Sequence, residues 1–115
     1  MRRGEIRWVD LDPARGSEAG KVRPAVVVSN DGANATAQRL GRGVITVVPV
    51  TSNVERVYPF QVLLEARDTG LDRRSKAQAE QIRSVSVDRL GKPAGQVPAA
   101  VMARLDDAIR LHLAL

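Results

Sequence analysis

The chain has 115 residues, of which 43% are hydrophobic, and its formal net charge is +5. This length suits a single hydrophobic core, and we assign residues 1–115 to one domain. The lack of cysteine excludes disulfides, thiolate zinc sites and a cysteine nucleophile, and it fits a reducing compartment. No apolar run has the length of a signal peptide or a membrane span, so we expect a soluble, cytoplasmic protein.

Arginine supplies most of the positive charge, since the sequence contains fifteen arginines and three lysines. A guanidinium group binds phosphate through two parallel N–H bonds and stacks on bases, so this balance favours nucleic acid as a partner. A solvated basic surface explains the charge equally well. The only aromatic residues are Trp8, Tyr58 and Phe60. A continuous stacking platform cannot form from them, and we expect any RNA to be read mainly by hydrogen bonds.

The first predicted elements are a strand, a loop and a buried strand. Alternation of residue types from Glu5 to Leu11 indicates a strand. The segment from Asp12 to Lys21 contains proline and glycine and is predicted to be a long mobile loop, a type that usually serves function. The β-branched run from Pro24 to Ser29 predicts a buried strand, with Pro24 at its first residue or on a sheet edge because proline has no N–H to donate.

A short helix and two more strands are expected next. Residues 30–32 form a predicted turn, and residues 34–40 can form a short helix. The apolar run at 44–50 predicts a second buried strand. A polar loop at 53–59 then leads to a fourth strand at 60–64.

The last third of the chain predicts further strands and a helix. Residues 66–74 are turn-rich, and imperfect alternation at 75–87 indicates one long or bent strand. A turn at 90–93 and a short closing strand at 95–97 follow. Pro98 suits a first helical turn, and the apolar residues after it recur at helical spacing, at Val101, Leu105, Ala108, Ile109 and Leu113. Five or six short strands and one amphipathic helix indicate a small antiparallel β-barrel with a C-terminal helix packed on it.

Histidine and metal chemistry are not indicated by the sequence. The single histidine, His112, lies on the C-terminal helix, far from every polar cluster, and a core margin or an oligomer contact accounts for it better than catalysis. No spacing of His, Asp and Glu suggests a metal cage. The chemistry therefore has to use arginine, a hydroxyl, an amide or a carboxylate, and we expect no cofactor.

Two strands end in polar groups that suit phosphoryl transfer within RNA. Arg23 precedes the strand at 24–29, and Thr51 follows the strand at 44–50, so both can be presented on one surface. When a ribose 2′-OH attacks its own phosphate, the protein needs chiefly to align the nucleophile and to stabilise charge on the phosphorane oxygens. Arginine can bind two of these oxygens, and a threonine hydroxyl can add a hydrogen bond. Each motif alone is also compatible with a purely structural role.

The sequence resembles the MazF/PemK (Kid) toxins of bacterial toxin–antitoxin systems over nearly its whole length. The matching residues come in family order: Arg3-Gly4-Glu5-Ile6, Trp8, Asp10-Leu11-Asp12-Pro13, Gly16-Ser17-Glu18, Arg23-Pro24-Ala25-Val26-Val27, Val48-Pro49, Thr51-Ser52, Tyr58-Pro59-Phe60, Glu80-Gln81-Ile82-Arg83-Ser84 and Arg89-Leu90. The resemblance implies an SH3-like barrel, as in CcdB and PemK, that forms a homodimer. It implies metal-independent, sequence-specific cleavage of single-stranded RNA, chiefly mRNA, leaving a 2′,3′-cyclic phosphate and a 5′-hydroxyl.

The same resemblance assigns site residues and a partner. Catalytic roles fall on Arg23 and Thr51, and the loop at 12–21 becomes a flexible lid. Substrate contacts fall on Ser52, Asn53, Tyr58, Pro59, Ser75 and Gln81, although Gln81 is equally compatible with a strand residue bonded to its neighbours. The partner is a MazE-like antitoxin, whose disordered acidic and apolar segment folds across the basic groove.

The group that removes the proton from the 2′-OH is not identified by the resemblance. Arginine side chains stay protonated in proteins, so Arg23 is a poor base at neutral pH. Glu18, in the loop, is the candidate that the sequence offers.

Two other functions remain open from the sequence. A CcdB-type gyrase poison shares the fold, but that family acts through an aromatic C-terminal tail, and this chain ends in Leu113-Ala114-Leu115. A plain RNA-binding barrel would use basic patches and would not need Arg23 more than the other arginines.

Overall fold

Three neighbouring strands form the centre of an antiparallel sheet. In the computed structural model, which describes residues 1–115, these are β1 (Glu5–Asp10), β2 (Val22–Val27) and β3 (Val44–Thr51). Successive residues of β2 and β3 contribute to two buried clusters on opposite faces of the sheet. Because both faces are covered, the two strands appear in the sequence as continuous apolar runs.

Four further strands complete the seven-stranded sheet: β4 (Gln61–Leu64), β5 (Ser75–Gln78), β6 (Arg83–Ser86) and β7 (Leu90–Gln96). The strand order is β4-β5-β3-β2-β1-β7. Strand β6 pairs with the first half of β3, at residues 44–47, and β5 pairs with the end of β3, at residues 50–51. Every pairing is antiparallel. The predicted fold class, a mainly β antiparallel barrel with a C-terminal helix, is confirmed.

Three helices connect or cover the strands: α1 (Asp31–Leu40), α2 (Ala66–Thr69) and α3 (Ala99–Leu113). Helix α1 begins earlier than predicted because the Asn30 side chain caps it, accepting a hydrogen bond of 2.8 Å from the Ala33 N–H. The predicted turn at 30–32 is therefore the start of this helix. None of the three helices combines the length and the apolar composition that a membrane-spanning helix requires.

The prediction of one strand over 75–87 is wrong. Strand β5 ends at Gln78, a 3₁₀ turn occupies Ala79–Gln81, and β6 follows. Between the Ala77–Val50 and Arg83–Val47 pairs, this segment has five residues, 78–82, where β3 has only two, 48–49. The extra residues have to leave the ladder, and the 3₁₀ turn accommodates them.

The predicted turn at 90–93 is also wrong, because Leu90–Gln96 forms one strand, β7. It pairs only with β1, so it is an edge strand, and its register shifts on either side of Arg7. An edge strand with bulges tolerates proline and glycine, which had suggested a turn.

Pro24 had been expected at the first residue of its strand or on a sheet edge, but it is the third residue of β2, which lies between β3 and β1. It pairs with Trp8 of β1, whereas pairing with β3 starts one residue later, at Ala25. The sheet therefore needs no N–H donor from Pro24 on the β3 side.

Helix α3 packs on the sheet through Leu105, which has no exposed surface. We expect Leu105→Ala to lower the free energy of unfolding by about 3 kcal/mol, because it removes buried methyl groups and leaves a cavity. Urea unfolding followed by circular dichroism measures this loss. Leu111→Ala is the matched control, since Leu111 lies on the same helix and is exposed; it should change stability by less than about 0.5 kcal/mol. Equal losses for the two variants would contradict the packing.

Candidate active site

A cavity of about 530 Å³ opens where β2 begins and β3 ends. Its polar wall carries Arg23, Thr51, Ser52, Asp72, Arg73 and Ser75. The other lining residues are mostly apolar: Trp8, Pro24, Val50, Leu71, Pro93 and Ala94. Four of the residues predicted from the sequence therefore share one cavity.

Strand register explains how Arg23 and Thr51 come together. Ala25 of β2 pairs with Pro49 of β3 in the antiparallel ladder. Continuing this register by two residues sets Arg23 opposite Thr51. The polar end of each strand thus projects from the rigid sheet toward the same space.

The Arg23 guanidinium is held in place by the loop before it. Its Nε donates a hydrogen bond of 2.8 Å to the Gly20 carbonyl, and it forms no salt bridge. A Cβ atom at Gly20 would lie 2.8 Å from both Ala14 Cβ and Asp12 Oδ1, so a glycine is needed for the loop to fold this closely. Both terminal NH₂ groups of Arg23 remain free to bind an anion.

Thr51 keeps its hydroxyl proton available. Its Oγ1 accepts a hydrogen bond of 3.2 Å from the Asn53 N–H and makes no other bond within the protein. The Asn53 side chain is engaged in its own loop, where Oδ1 accepts a bond of 3.2 Å from the Glu55 N–H. Thr51 can therefore donate into the cavity, whereas Asn53 stabilises the turn that follows β3.

Asp72, Arg73 and Ser75 reach the cavity from the segment after α2. The Thr69 carbonyl approaches Gly95 of β7 so closely that any Cβ atom there would clash with it. This contact places the segment beside β7 and the cavity. The Ser75 hydroxyl donates to the Arg73 carbonyl at 2.9 Å, so only its acceptor capacity is left for a ligand.

Gln81 and Glu18 lie outside the cavity lining. Gln81 fastens the loop after β1, because its Oε1 accepts from the Ala19 N–H at 3.0 Å and its Nε2 donates to the Ser17 carbonyl at 3.1 Å. Glu18 is exposed in this loop. The expected lid is thus tied down near its C-terminal end, and Gln81 makes the neighbour contacts that were its alternative interpretation.

Tyr58 and Pro59 also lie outside the cavity. The Tyr58 ring stacks on Phe60, with centroids 5.4 Å apart, and the Lys76 ammonium lies 5.9 Å from the Tyr58 centroid. Pro59 lines a separate groove between β4 and α3. The aromatic and proline residues of the polar loop at 53–59 are therefore not part of the cavity lining.

Many arginines are engaged in the fold. Five of them pair with carboxylates: Arg3, Arg7, Arg67, Arg74 and Arg110. Arg83 and Arg89 donate to backbone carbonyls at the end of β1 and just after it. Arg73 has neither kind of partner, so the cavity wall carries two guanidinium groups that form no salt bridge.

The ion pair between Arg7 and Glu5 on β1 is an example of an arginine that is held by a carboxylate. Burial raises the pKa of the Glu5 carboxyl, but the hydrogen bond from Arg7, the bond from the Arg2 N–H and the Arg7 charge outweigh it and lower the pKa overall. Glu5 thus stays ionised and holds Arg7 in place.

Three cavity residues were missed by reasoning from the sequence: Trp8, Asp72 and Arg73. Trp8 had been assigned to a strand and counted among the residues that match the family, but with no role at the site; the other two had been assigned to a charged, turn-rich segment. The cavity depends on contacts between segments far apart in the chain, so no local pattern marked these residues. No group of three or more His, Asp or Glu residues is placed to hold a metal ion.

The chain belongs to the PemK-like, MazF-like toxins of type II toxin–antitoxin systems, a family that its sequence matches over residues 2–113. The family expected from the resemblance is confirmed. Endoribonuclease MazF9 of Mycobacterium tuberculosis is 71% identical over 115 residues, covering 100% of this chain and 98% of that protein. Endoribonuclease EndoA of Bacillus subtilis is 31% identical over 116 residues, covering 100% and 96%.

Solved structures agree with this assignment. The crystal structure of MazF (form I) from Deinococcus radiodurans matches with a TM-score of 0.83 and 28% identity, covering 100% of this chain and 97% of that one. The MazE-MazF structure (form II) from the same organism contains a chain that matches with a TM-score of 0.75 and 26% identity, covering 100% and 96%.

Proposed function

We propose that this toxin is an endoribonuclease that cleaves single-stranded RNA, chiefly mRNA, at specific sequences in the cavity between Arg23 and Thr51. Relatives that match the whole chain are endoribonucleases by name. The observation that carries the proposal is the opposition of Arg23 and Thr51 across the strand register, with free donor groups on both.

The proposed reaction uses the RNA's own 2′-OH as the nucleophile. The 2′-oxygen bonds to the adjacent phosphorus and the bond from phosphorus to the 5′-oxygen breaks, giving a 2′,3′-cyclic phosphate and a 5′-hydroxyl. The terminal NH₂ groups of Arg23 bind the phosphorane oxygens, and the Thr51 hydroxyl donates another hydrogen bond. Donors fixed in advance stabilise this charge because they need not reorganise as it develops.

The reaction also needs a base for the 2′-OH proton, and the leaving 5′-oxygen takes up a proton from water or from the protonated base, so that protons balance. Asp72 is the carboxylate that lines the cavity, and it takes part in none of the five salt bridges of the protein. Glu18, the candidate from the sequence, lies on the exposed loop. We therefore propose Asp72 as the base ahead of Glu18, and the two can be separated by substitution.

The remaining predicted contacts extend the substrate path. Ser52 and Ser75 are in the cavity, so they can bind the nucleotides next to the scissile bond. Asn53, Tyr58 and Pro59 follow β3, and we propose that they contact nucleotides further along the strand. Gln81 acts by holding the loop after β1, which in turn holds Arg23 through Gly20.

We further propose a homodimer that is neutralised in the cytoplasm by a MazE-like antitoxin. A related MazF chain is known in a MazE-MazF structure. The net charge of +5, with two unpaired arginines at the cavity, suits an acidic antitoxin segment that covers the site.

The direct test is cleavage of a long, weakly structured RNA by the purified protein in excess EDTA, with both new ends mapped. We expect discrete cuts that persist in EDTA and carry a cyclic phosphate and a 5′-hydroxyl. Cuts that require added metal, or that leave a 5′-phosphate, would contradict the mechanism. RNA binding without any cutting would favour the plain RNA-binding barrel, and no observation here favours a gyrase poison.

A further inference from the structure

Trp8 is the aromatic part of the apolar wall of the cavity. It is the only tryptophan in the chain, and 40% of its surface is exposed. A large aromatic side chain is costly to leave this exposed in water, and exposed apolar surface beside polar groups often marks a binding site. The reaction proposed above gives this side chain no role.

The backbone around Trp8 is tightly supported. Trp8 pairs across the strands with Pro24, and a Cβ atom at Gly91 of β7 would lie 3.3 Å from the Trp8 carbonyl oxygen and 3.5 Å from its Cβ. Pro93 and Ala94 of β7 continue the same apolar wall. The ring is therefore carried by a rigid part of the sheet, so that a ligand can stack on it without ordering a loop.

The two walls of the cavity match the two parts of a nucleotide. Arg23, Arg73 and Thr51 offer donors for a phosphate, whereas Trp8 and the prolines offer a flat apolar surface for a base. We propose that Trp8 is a stacking platform for a nucleobase flanking the scissile phosphate of a single-stranded RNA. This inference rests on the proposed function and adds a residue to it. Stacking tolerates any base, so Trp8 holds the strand in place and leaves sequence selection to polar groups.

The test uses an RNA oligonucleotide with 2′-O-methyl groups, which binds but cannot be cut by 2′-OH attack. Its sequence is taken around a mapped cut. Fluorescence of the single tryptophan reports binding in the wild-type protein, and fluorescence anisotropy of a labelled oligonucleotide gives affinities for Trp8→Leu and Trp8→Phe. Each nucleotide is replaced in turn by an abasic one, which removes its base and keeps the phosphates.

We expect the intact oligonucleotide to quench Trp8 fluorescence, and one abasic position next to the scissile phosphate to abolish most of the quenching. That position and Trp8→Leu should each weaken binding about 5- to 100-fold. The two losses should not multiply when combined, because both remove the same stack. Trp8→Phe should keep most of the affinity.

The inference would be overturned if the affinity losses from Trp8→Leu and from the abasic position multiplied when combined. It would also be overturned if no abasic position changed the quenching of Trp8 fluorescence. The quenching of Trp8 fluorescence in the wild-type protein tests the inference even if Trp8→Leu does not fold. A response of Trp8 to an acidic antitoxin peptide but not to RNA would also overturn it and assign this wall to a protein partner. If the protein binds RNA without cutting it, the oligonucleotide is taken instead from an RNA that the protein binds, and the abasic scan runs along its whole length. The stacking inference and the nuclease proposal can therefore fail separately.

Discussion

Arg23→Ala should reduce the rate of RNA cleavage by about 10²- to 10³-fold, the usual effect of losing one preorganised donor to a developing oxyanion. The Arg23 guanidinium is placed by the Gly20 carbonyl and has no carboxylate partner, so its terminal N–H groups are free for the phosphorane oxygens. Single-turnover cleavage of an RNA with one mapped site measures this loss. The cut position should stay the same, because Arg23 is proposed to act on the phosphate and not on a base.

Two further variants sharpen this measurement. Arg23→Lys keeps the charge but loses the planar fork, so it should recover only part of the rate. Arg39→Ala removes the same charge from the exposed end of α1 and should leave the rate within about twofold of wild type. Loss in both alanine variants would point to the overall charge, and wild-type activity in Arg23→Ala would remove Arg23 from the mechanism.

Asp72→Asn should lower the single-turnover rate by about 10²-fold or more, the typical contribution of a positioned general base. RNA affinity should stay the same or increase, because a negative charge is removed from a cavity that binds phosphate. Glu18→Gln is the matched control, since it makes the same chemical change on the exposed loop, and we expect it to retain the wild-type rate. Affinity is measured with the 2′-O-methyl oligonucleotide, so binding and chemistry are read separately.

The reverse result would be equally informative. Full activity in Asp72→Asn with a large loss in Glu18→Gln would show that the loop carboxylate takes the proton in the RNA complex. Full activity in both would mean that neither carboxylate is the base. A loss of both binding and rate in Asp72→Asn would indicate that Asp72 shapes the cavity.

Local patterns in the sequence were sufficient to predict those elements whose structure depends on interactions between residues close together in the chain. The β-branched runs that became β2 and β3 and the helical spacing in α3 were recognised because burial imposes its period directly on neighbouring residues. Arg23 and Thr51 were predicted as site residues for the same reason, since each flanks such a run, and both line the cavity. Residues 75–87 were misread because the alternation does not show where the partner strand changes, and that change forces the 3₁₀ turn.

The sequence by itself therefore determined the strand-rich class, the C-terminal helix and the two polar strand ends, because short-range periodicity and turn chemistry encode these features. Only the tertiary structure decided which distant residues complete the cavity. Trp8 joins it through the pairing of β1 with β2 and β7, and Asp72 and Arg73 join it where α2 meets Gly95. Such contacts depend on strand register and on close backbone approach between segments far apart in the chain, and neither leaves a periodic signal.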